Sequence, residues 1–258
     1  HGRTIGALSV GSNKKYKSNI GPVPGKVKFC KFNDVSHLKK LVNKKTVAII
    51  IEFVQGDGGI NICSKNFAKA IKGICKNKKI LLIGDEIQGG IGRTGKIFAY
   101  KHYGVNPDII TSAKGLGSGI PIGATIVKKY ISKIISTGFH GSTFGGGMLQ
   151  TRVSYNVFRT INNKSFLNKV LINGNLLSSL IKKMHLLHKD KIVDTRCLGL
   201  MAGVEFKNNQ IALKTYEKMS KNGLISTLIQ GNIIRLTPPL TVSTGEIRKA
   251  IKIITQSL

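Results

Sequence analysis

The amino-acid sequence predicts an α/β domain followed by a smaller α+β domain. Two short, continuous apolar runs, Val47–Ile51 and Ile80–Ile83, are typical of strands buried on both faces of a parallel sheet. A stretch with helical periodicity separates them, which gives the order strand, helix, strand. Beyond about Gly147, long helical segments precede a strand-rich region. We therefore place a large domain at residues 1–150 and a small domain, with its linking helix, at residues 151–258.

The helix between the two apolar runs has a clear start and an apolar stripe. Ser64 is a favoured N-cap residue. Apolar residues then recur at spacings of three and four: Phe67, Ala70, Ile71, Ile74 and Cys75. Two further strands are predicted after the turn at Pro107, over Asp108–Ser112 and Ala124–Val127.

The second half of the chain alternates helical and strand patterns. The predicted helices and strands are, in order, Leu149–Ile161, Lys164–His188, a strand-rich region over Ile192–Phe206, a helix around Ala212–Asn222, and strands over Leu224–Ile229 and Asn232–Leu236. Ser243 and Glu246 match a capping box, which begins a last helix.

Composition places the chain among globular proteins. Of its 258 residues 41% are hydrophobic and 20% are charged, and no apolar run approaches the roughly 18 residues of a membrane-spanning helix. The net charge of +30 is typical of nucleic-acid binders, but only seven of the 41 basic residues are arginine and the lysines are spread along the chain. We expect a cytoplasmic protein without a specific nucleic-acid or membrane partner.

The four cysteines do not form a metal-binding pattern. Cys30, Cys63, Cys75 and Cys197 are too far apart for any CxxC pair, and no histidines stand near them at ligand spacing. We therefore expect reduced, mostly buried thiols and no metal site.

Residues 90–96 contain two glycine patterns that fall short of phosphate-binding motifs. Gly90–Lys96 fits GxxxxGK, but Ile97 stands where a magnesium-binding Ser or Thr is needed. The overlapping GxGxxG pattern lacks the acidic residue about twenty positions later that dinucleotide binding requires. Neither pattern predicts a nucleotide site.

The better candidates lie at the ends of predicted strands. Asp85 and Glu86 follow the buried run Ile80–Ile83, at the edge where open α/β sheets bind ligands. Because neighbouring side chains on an extended chain point in opposite directions, only one of these carboxylates can face a given site. Lys114 stands alone among small residues in TSAKGLGSGIPIGA, Thr111–Ala124, with glycines that leave space beside it.

Six strings resemble the class III pyridoxal-phosphate aminotransferases in order and spacing. They are HGRTIGALS, IIIEFVQGDGGI, LLIGDEIQGGIGRTGKIFAYKHYGVNPDIITSAKGLGSGIPIGA, HGSTFGG, GLMAGVEF and NIIRLTPPL. The resemblance covers essentially the whole chain and implies fold type I of the pyridoxal-phosphate enzymes. Because the chain opens at His1 inside the first string, we expect a fragment that lacks roughly a third of a typical family member.

The resemblance also implies the cofactor contacts. Lys114 would hold pyridoxal 5′-phosphate as a Schiff base and act as catalytic base and acid. Asp85, the second catalytic residue, would pair with the pyridine nitrogen, and Gln88 would bond the ring's 3′ oxygen. The remaining cofactor-binding residues would be Glu86, Ile87 and Thr143.

Substrate contacts follow from the same resemblance. Arg3 and Arg235 would hold the substrate carboxylate, since a guanidinium suits a planar, bidentate contact. Ser142 would touch the substrate, and both Ser142 and Thr143 would be presented to the neighbouring subunit, which implies a homodimer with shared active sites. Family members also use an acidic pair, here Glu52 and Asp57. Aspartate is one methylene shorter than the usual glutamate, which leaves the contact of Asp57 with Arg235 open.

The expected activity is transfer of an amino group from N2-acetylornithine to 2-oxoglutarate, a step of arginine biosynthesis. Ornithine, succinyldiaminopimelate and 4-aminobutyrate are alternative amino donors within the same family. From other classes, a basic nucleic-acid-binding protein and a decayed homologue that keeps only the fold are the alternatives.

Overall fold

The computed structural model describes residues 1–18 and 20–258, and it contains eight α-helices and ten strands in that part of the chain. The first half has α1 Ile5–Val10, α2 Val35–Leu41, β1 Ala48–Ile51, β2 Val54–Gln55, β3 Asn61–Ile62, α3 Lys65–Lys78, β4 Leu81–Asp85, β5 Ile109–Ser112, β6 Ala124–Val127 and α4 Lys129–Ser132. The second half has α5 Met148–Ile161, α6 Lys164–Leu187, β7 Ile192–Leu198, β8 Met201–Phe206, α7 Asn209–Lys221, β9 Thr227–Ile229, β10 Ile233–Leu236 and α8 Thr244–Ser257.

The first sheet has the order β1-β4-β5-β6. Pairs β1/β4 and β4/β5 are parallel and β5/β6 is antiparallel. The parallel strands therefore end at one edge, where β4 ends at Asp85 and β5 ends at Ser112. The mainly parallel sheet with flanking helices is that of fold type I, as the sequence predicts.

Helix α3 covers the first sheet because its apolar stripe faces β1 and β4. The Ser64 hydroxyl accepts a hydrogen bond from the Phe67 N–H, which confirms the predicted N-cap. Phe67 and Ile71 are buried in a core with Ile51 and Leu82. The sequence thus determines this strand, helix, strand unit locally.

The second sheet is antiparallel throughout, in the order β7-β8-β10-β9. Its core combines β8 and β10 with helices α6, α7 and α8, and Phe206, Ile234, Ile181 and Ile254 are fully buried there. The strands before residue 150 and after residue 151 lie in separate sheets, although the domain boundary itself stays a prediction.

One strand is shorter than predicted. The sequence predicts a strand over Leu224–Ile229, but only Thr227–Ile229 pairs, because β10 provides partners from Arg235 to Ile233 alone. Ile225 is 93% exposed, so the apolar residues of this stretch do not all enter a core. Helices α1, α2 and α4 and strands β2 and β3 have no counterpart among the elements predicted from the sequence.

The glycine-rich segment that resembles a phosphate loop instead joins the two halves of the chain. Arg93 donates hydrogen bonds from Nη1 to the carbonyls of Leu200 (3.1 Å) and Pro238 (2.5 Å). Burial lowers its pKa to about 10. These contacts fix the second sheet against the loop that follows β4.

The cysteines and the lengths of the helices also bear on the sequence-based expectations. All four cysteines are free, with Cys63 and Cys75 buried and Cys30 and Cys197 half-buried. No helix in the described ranges is both long enough and apolar enough to span a membrane.

The capping box of α8 is expected to stabilise the fold. The Ser243 hydroxyl accepts from the Glu246 N–H, and the Glu246 carboxylate accepts from the Ser243 N–H. We expect Ser243→Ala to lower the free energy of unfolding by about 1 kcal/mol in chemical denaturation. Thr244→Ala, one position later on the exposed start of the helix, is the control. Equal losses in the two variants would contradict the capping role.

Candidate active site

The candidate site lies where β1, β4 and β5 end. Glu52 follows β1, Asp85 is the last residue of β4, and Lys114 comes two residues after β5. The carboxyl ends of neighbouring parallel strands meet at one edge, which brings the three residues together. This edge also receives Arg235 from β10 of the second sheet.

Asp85 is a buried acid, only 5% exposed. Its carboxylate accepts a 3.2 Å hydrogen bond from the Ile87 N–H. A buried carboxylate favours such a donor, or a positive charge, because desolvation of an unpaired charge is costly. Asp85 is thus an acid largely removed from water at the end of β4.

Glu86 points to the opposite side, as expected for the next residue of an extended chain. It is fully buried, and its carboxylate accepts hydrogen bonds from the N–H groups of Ala99 (2.7 Å) and Tyr100 (2.8 Å). Burial raises its pKa to about 7, and these two N–H groups oppose the rise. The Glu86 carboxylate therefore holds the loop beyond the site, and the placement of Glu86 among the cofactor contacts stays a prediction.

Gln88, Asp57 and Arg235 form a hydrogen-bonded triad. The Arg235 Nη1 donates to Asp57 Oδ1 at 2.8 Å and to Gln88 Oε1 at 3.3 Å, and the Gln88 amide donates to Asp57 Oδ1 at 3.2 Å. Aspartate is therefore long enough to reach Arg235 here, which closes the question left by the sequence. The Asp57 side chain is half-exposed, so the ion pair is accessible from solvent.

Lys114 lies in a strained turn beside this triad. Its φ angle is +46°, in the left-handed region that residues other than glycine seldom occupy, and strain of this kind concentrates at functional sites. Partial burial lowers the pKa of its amine, Asp57 opposes that change, and Arg235 adds to it. A lowered pKa leaves more of the amine in the neutral, nucleophilic form.

The turn at Lys114 is possible because Gly117 has no side chain. A Cβ at position 117 would overlap the carbonyl oxygen of Ile120, so no side chain fits. Gly115, in contrast, leaves room for an ordinary contact with Ile91. At Gly117, therefore, the backbone of the loop itself requires glycine.

Glu52 is a partly buried acid with an altered protonation equilibrium. Burial and then the charge of Asp85 raise its pKa to about 7, while a hydrogen bond from the Gly56 N–H (3.3 Å) opposes the rise. The carboxyl group of Glu52 therefore titrates near neutral pH at the edge of the site.

Some predicted site residues lie elsewhere in this single chain. Arg3 is exposed and stacks over the Tyr16 ring, 3.6 Å from its centroid. Ser142 and Thr143 are exposed, and no hydrogen bond joins them to the triad within the described ranges. Their assignment to a neighbouring subunit's site stays a prediction.

Two contacts of the site were missed by sequence reasoning. The His1 imidazole lies 3.1 Å from the Gln88 amide nitrogen. Gln230 donates a 2.6 Å hydrogen bond to the backbone carbonyl of Asp57, which is 173 positions away in sequence. No local pattern marks either residue, because both contacts arise only when distant elements meet.

Comparison with known proteins identifies the family of this chain. The family described as aminotransferase class-III matches residues 1–258. This chain belongs to the class III aminotransferase family. Ornithine aminotransferase 1 of Staphylococcus saprophyticus is 38% identical over all of this chain and 64% of its own length. Acetylornithine aminotransferase of Methanocaldococcus jannaschii is 40% identical over 96% of this chain and 61% of its own length.

A solved structure of a class III relative extends the similarity to three dimensions. Ornithine aminotransferase of Toxoplasma gondii, described with partial occupancy of pyridoxal phosphate at its active site, has a TM-score of 0.92 at 30% identity. The match covers 99% of this chain and 61% of that one. This class III chain thus spans less than two thirds of the length of these relatives.

Class III aminotransferases use pyridoxal phosphate, and the residues at this site fit that cofactor. Asp85 is a buried acid that could pair with a protonated pyridine nitrogen. The Gln88 amide offers a donor, and Lys114 offers an amine with a lowered pKa. This set of donors and acceptors suits pyridoxal phosphate.

Gly56 is expected to be essential for the position of Gln88. A Cβ at Gly56 would overlap the Gln88 amide group, so Gly56→Ala must displace Gln88 from Asp57 and Arg235. Because this amide is the far end of a flexible side chain that can move aside, we expect little loss in the free energy of unfolding but weaker binding of pyridoxal phosphate.

Gly73→Ala in α3 is the matched control for Gly56→Ala. A Cβ there meets no atom within 4 Å, and helical alanine is favoured over glycine, so stability should rise by about 0.5–1 kcal/mol. A stable Gly56→Ala protein with unchanged pyridoxal-phosphate affinity would contradict the steric account.

The protonation of Glu52 predicts a pH dependence of stability. Because its pKa rises from 4.5 to about 7, the folded state binds more protons than the unfolded state between these values, and stability falls as pH rises through this window. Glu52→Gln should reduce the difference in denaturation midpoint between pH 5 and pH 8. Glu86, whose pKa is also about 7, keeps part of that difference. Glu217→Gln, at an exposed position, is the control. If Glu52→Gln keeps the full wild-type difference in denaturation midpoint between pH 5 and pH 8, the raised pKa of Glu52 is refuted.

Proposed function

We propose that this protein is a pyridoxal-phosphate-dependent transaminase that moves the amino group of N2-acetylornithine to 2-oxoglutarate. The observation that carries the proposal is the meeting of Lys114, Asp85, Gln88 and Arg235 at one edge of the first sheet. Relatives named acetylornithine aminotransferase, at 36–40% identity, support the choice of substrate.

Each residue has a defined task in this proposal. Bound pyridoxal phosphate supplies an electron sink for the carbanion at the substrate Cα. Asp85 would hold the cofactor through its ring nitrogen, and Gln88 would hold it through its 3′ oxygen. The Lys114 amine would accept the proton from the substrate Cα and pass it to the cofactor carbon, and it would carry a proton the other way in the second half-reaction.

Arg235 is the proposed carboxylate site. Its guanidinium is largely enclosed and contacts one carboxylate, that of Asp57, through Nη1, which supports the proposal. A substrate carboxylate would compete with Asp57 for this guanidinium, so the affinity for dicarboxylates would depend on how firmly Asp57 is held. Arg3 is the second proposed carboxylate contact.

Ornithine is the second candidate amino donor. Relatives named ornithine aminotransferase match this chain at 30–38% identity. The ion pair between Asp57 and Arg235 also favours ornithine, because it neutralises the charge of Arg235 and offers carboxylate acceptors to the second amine of the substrate. The rates with acetylornithine and ornithine distinguish the two candidates.

A homodimer with shared sites is part of the proposal. The segment that carries Ser142 and Thr143 exposes several large apolar side chains, namely Ile134, Phe139, Phe144, Met148 and Leu149. Large apolar side chains exposed in one segment favour association with another chain. Thr143 would then bond the cofactor phosphate, and Ser142 would touch substrate, across the interface.

Lys114 provides the direct test of the enzyme function. The intact protein loaded with pyridoxal phosphate should show the visible absorption of the lysine-bound cofactor and form glutamate from 2-oxoglutarate and acetylornithine. Lys114→Ala should abolish the band and lower kcat by at least about 10³-fold, because it removes both the nucleophile and the proton carrier. Lys249→Ala, on the exposed face of α8, should change neither property. An unchanged band in Lys114→Ala would refute the assignment.

A further inference from the structure

The backbone of Asp57 is held by a residue with an unusual conformation. Gln230 lies in the turn between β9 and β10, where its φ is +53° and that of the next residue, Gly231, is +83°. Asn and Gly adopt such left-handed conformations more readily than Gln does. The Gln230 side chain nevertheless reaches the Asp57 carbonyl at 2.6 Å.

A single hairpin therefore holds both polar ends of Asp57. Arg235, on β10, binds the Asp57 carboxylate, and Gln230, five positions earlier in the same hairpin, binds the Asp57 carbonyl. The hairpin thus fixes the backbone and the side chain of Asp57 together.

The stem of the Asp57 loop is tied to the second sheet separately. Asn61 donates to the Gly58 carbonyl at 2.7 Å and accepts from Arg196 Nη1 at 2.7 Å. Arg196 is itself paired with Glu205 and Asp194. Because this contact holds the loop in place without Gln230, loss of Gln230 should affect the position of Asp57 and leave the loop intact.

We propose that Gln230 is a positioning residue that sets how readily Asp57 leaves Arg235, and therefore how tightly the site binds dicarboxylates. The inference rests on the proposed function of Arg235 as the carboxylate site. Without the Gln230 bond, the half-exposed Asp57 separates from Arg235 more readily, and a dicarboxylate gains access to the guanidinium.

Gln230→Asn and Gln230→Gly test this proposal. Asn and Gly suit the left-handed turn, so the hairpin should fold, but neither reaches the Asp57 carbonyl as Gln does. In isothermal titration calorimetry of the intact protein with glutarate, we expect about two- to tenfold tighter binding than in wild type, the scale of one neutral hydrogen bond. The KM for 2-oxoglutarate should fall by a similar factor while kcat stays unchanged. Gln210→Asn, an exposed glutamine on α7, should behave as wild type.

A double-mutant cycle with Asp57→Asn separates positioning from a structural effect. Asp57→Asn removes the ion pair but keeps the carbonyl, so it should tighten glutarate binding by itself, and Gln230→Gly should add nothing in that background. The proposed role of Gln230 would be overturned if the effects of the two substitutions on glutarate affinity were additive. It would also be overturned if Asp57→Asn bound glutarate more tightly while the Gln230 variants bound it as wild type does. If Asp57→Asn binds glutarate no more tightly than wild type, the carboxylate role of Arg235 falls together with this inference.

Discussion

The site depends on the need to compensate a buried carboxylate at the end of a strand. Asp85 has lost nearly all contact with water, and a buried carboxylate is costly unless hydrogen-bond donors or a positive charge face it. This requirement places Asp85 on the inner side of β4 and leaves Glu86 to face the opposite side, where backbone N–H groups satisfy it. The same requirement makes the position suitable for a protonated pyridine ring.

The two sheets contribute different residues to the site around Asp85. The parallel strands present Glu52, Asp85 and Lys114 from adjacent ends, and their geometry is fixed by main-chain pairing. The antiparallel sheet brings Arg235 against them from outside. The Asp57 loop contacts Arg235 and Gln230 of the β9–β10 hairpin, so its position depends on how the two sheets pack.

Local patterns allowed much of the fold to be predicted, and part of the site. The Ser64 cap and the Ser243 capping box depend on neighbouring residues, and both are confirmed. The contact between Asp57 and Arg235 could not be decided from side-chain length alone, because the separation of the two backbones depends on how the sheets pack. The turn at Gln230 was also hidden, since Gln is not a residue that predicts a left-handed backbone.

The protonation state of the cofactor's ring nitrogen tests the central claim most directly. The intact protein can be loaded with pyridoxal phosphate labelled with ¹⁵N in the ring, and the nitrogen chemical shift compared between wild type and Asp85→Asn. We expect a protonated ring nitrogen in wild type and an unprotonated one in the variant, because an anion is needed to stabilise the positive charge in this buried position. The same shift in both proteins would contradict it.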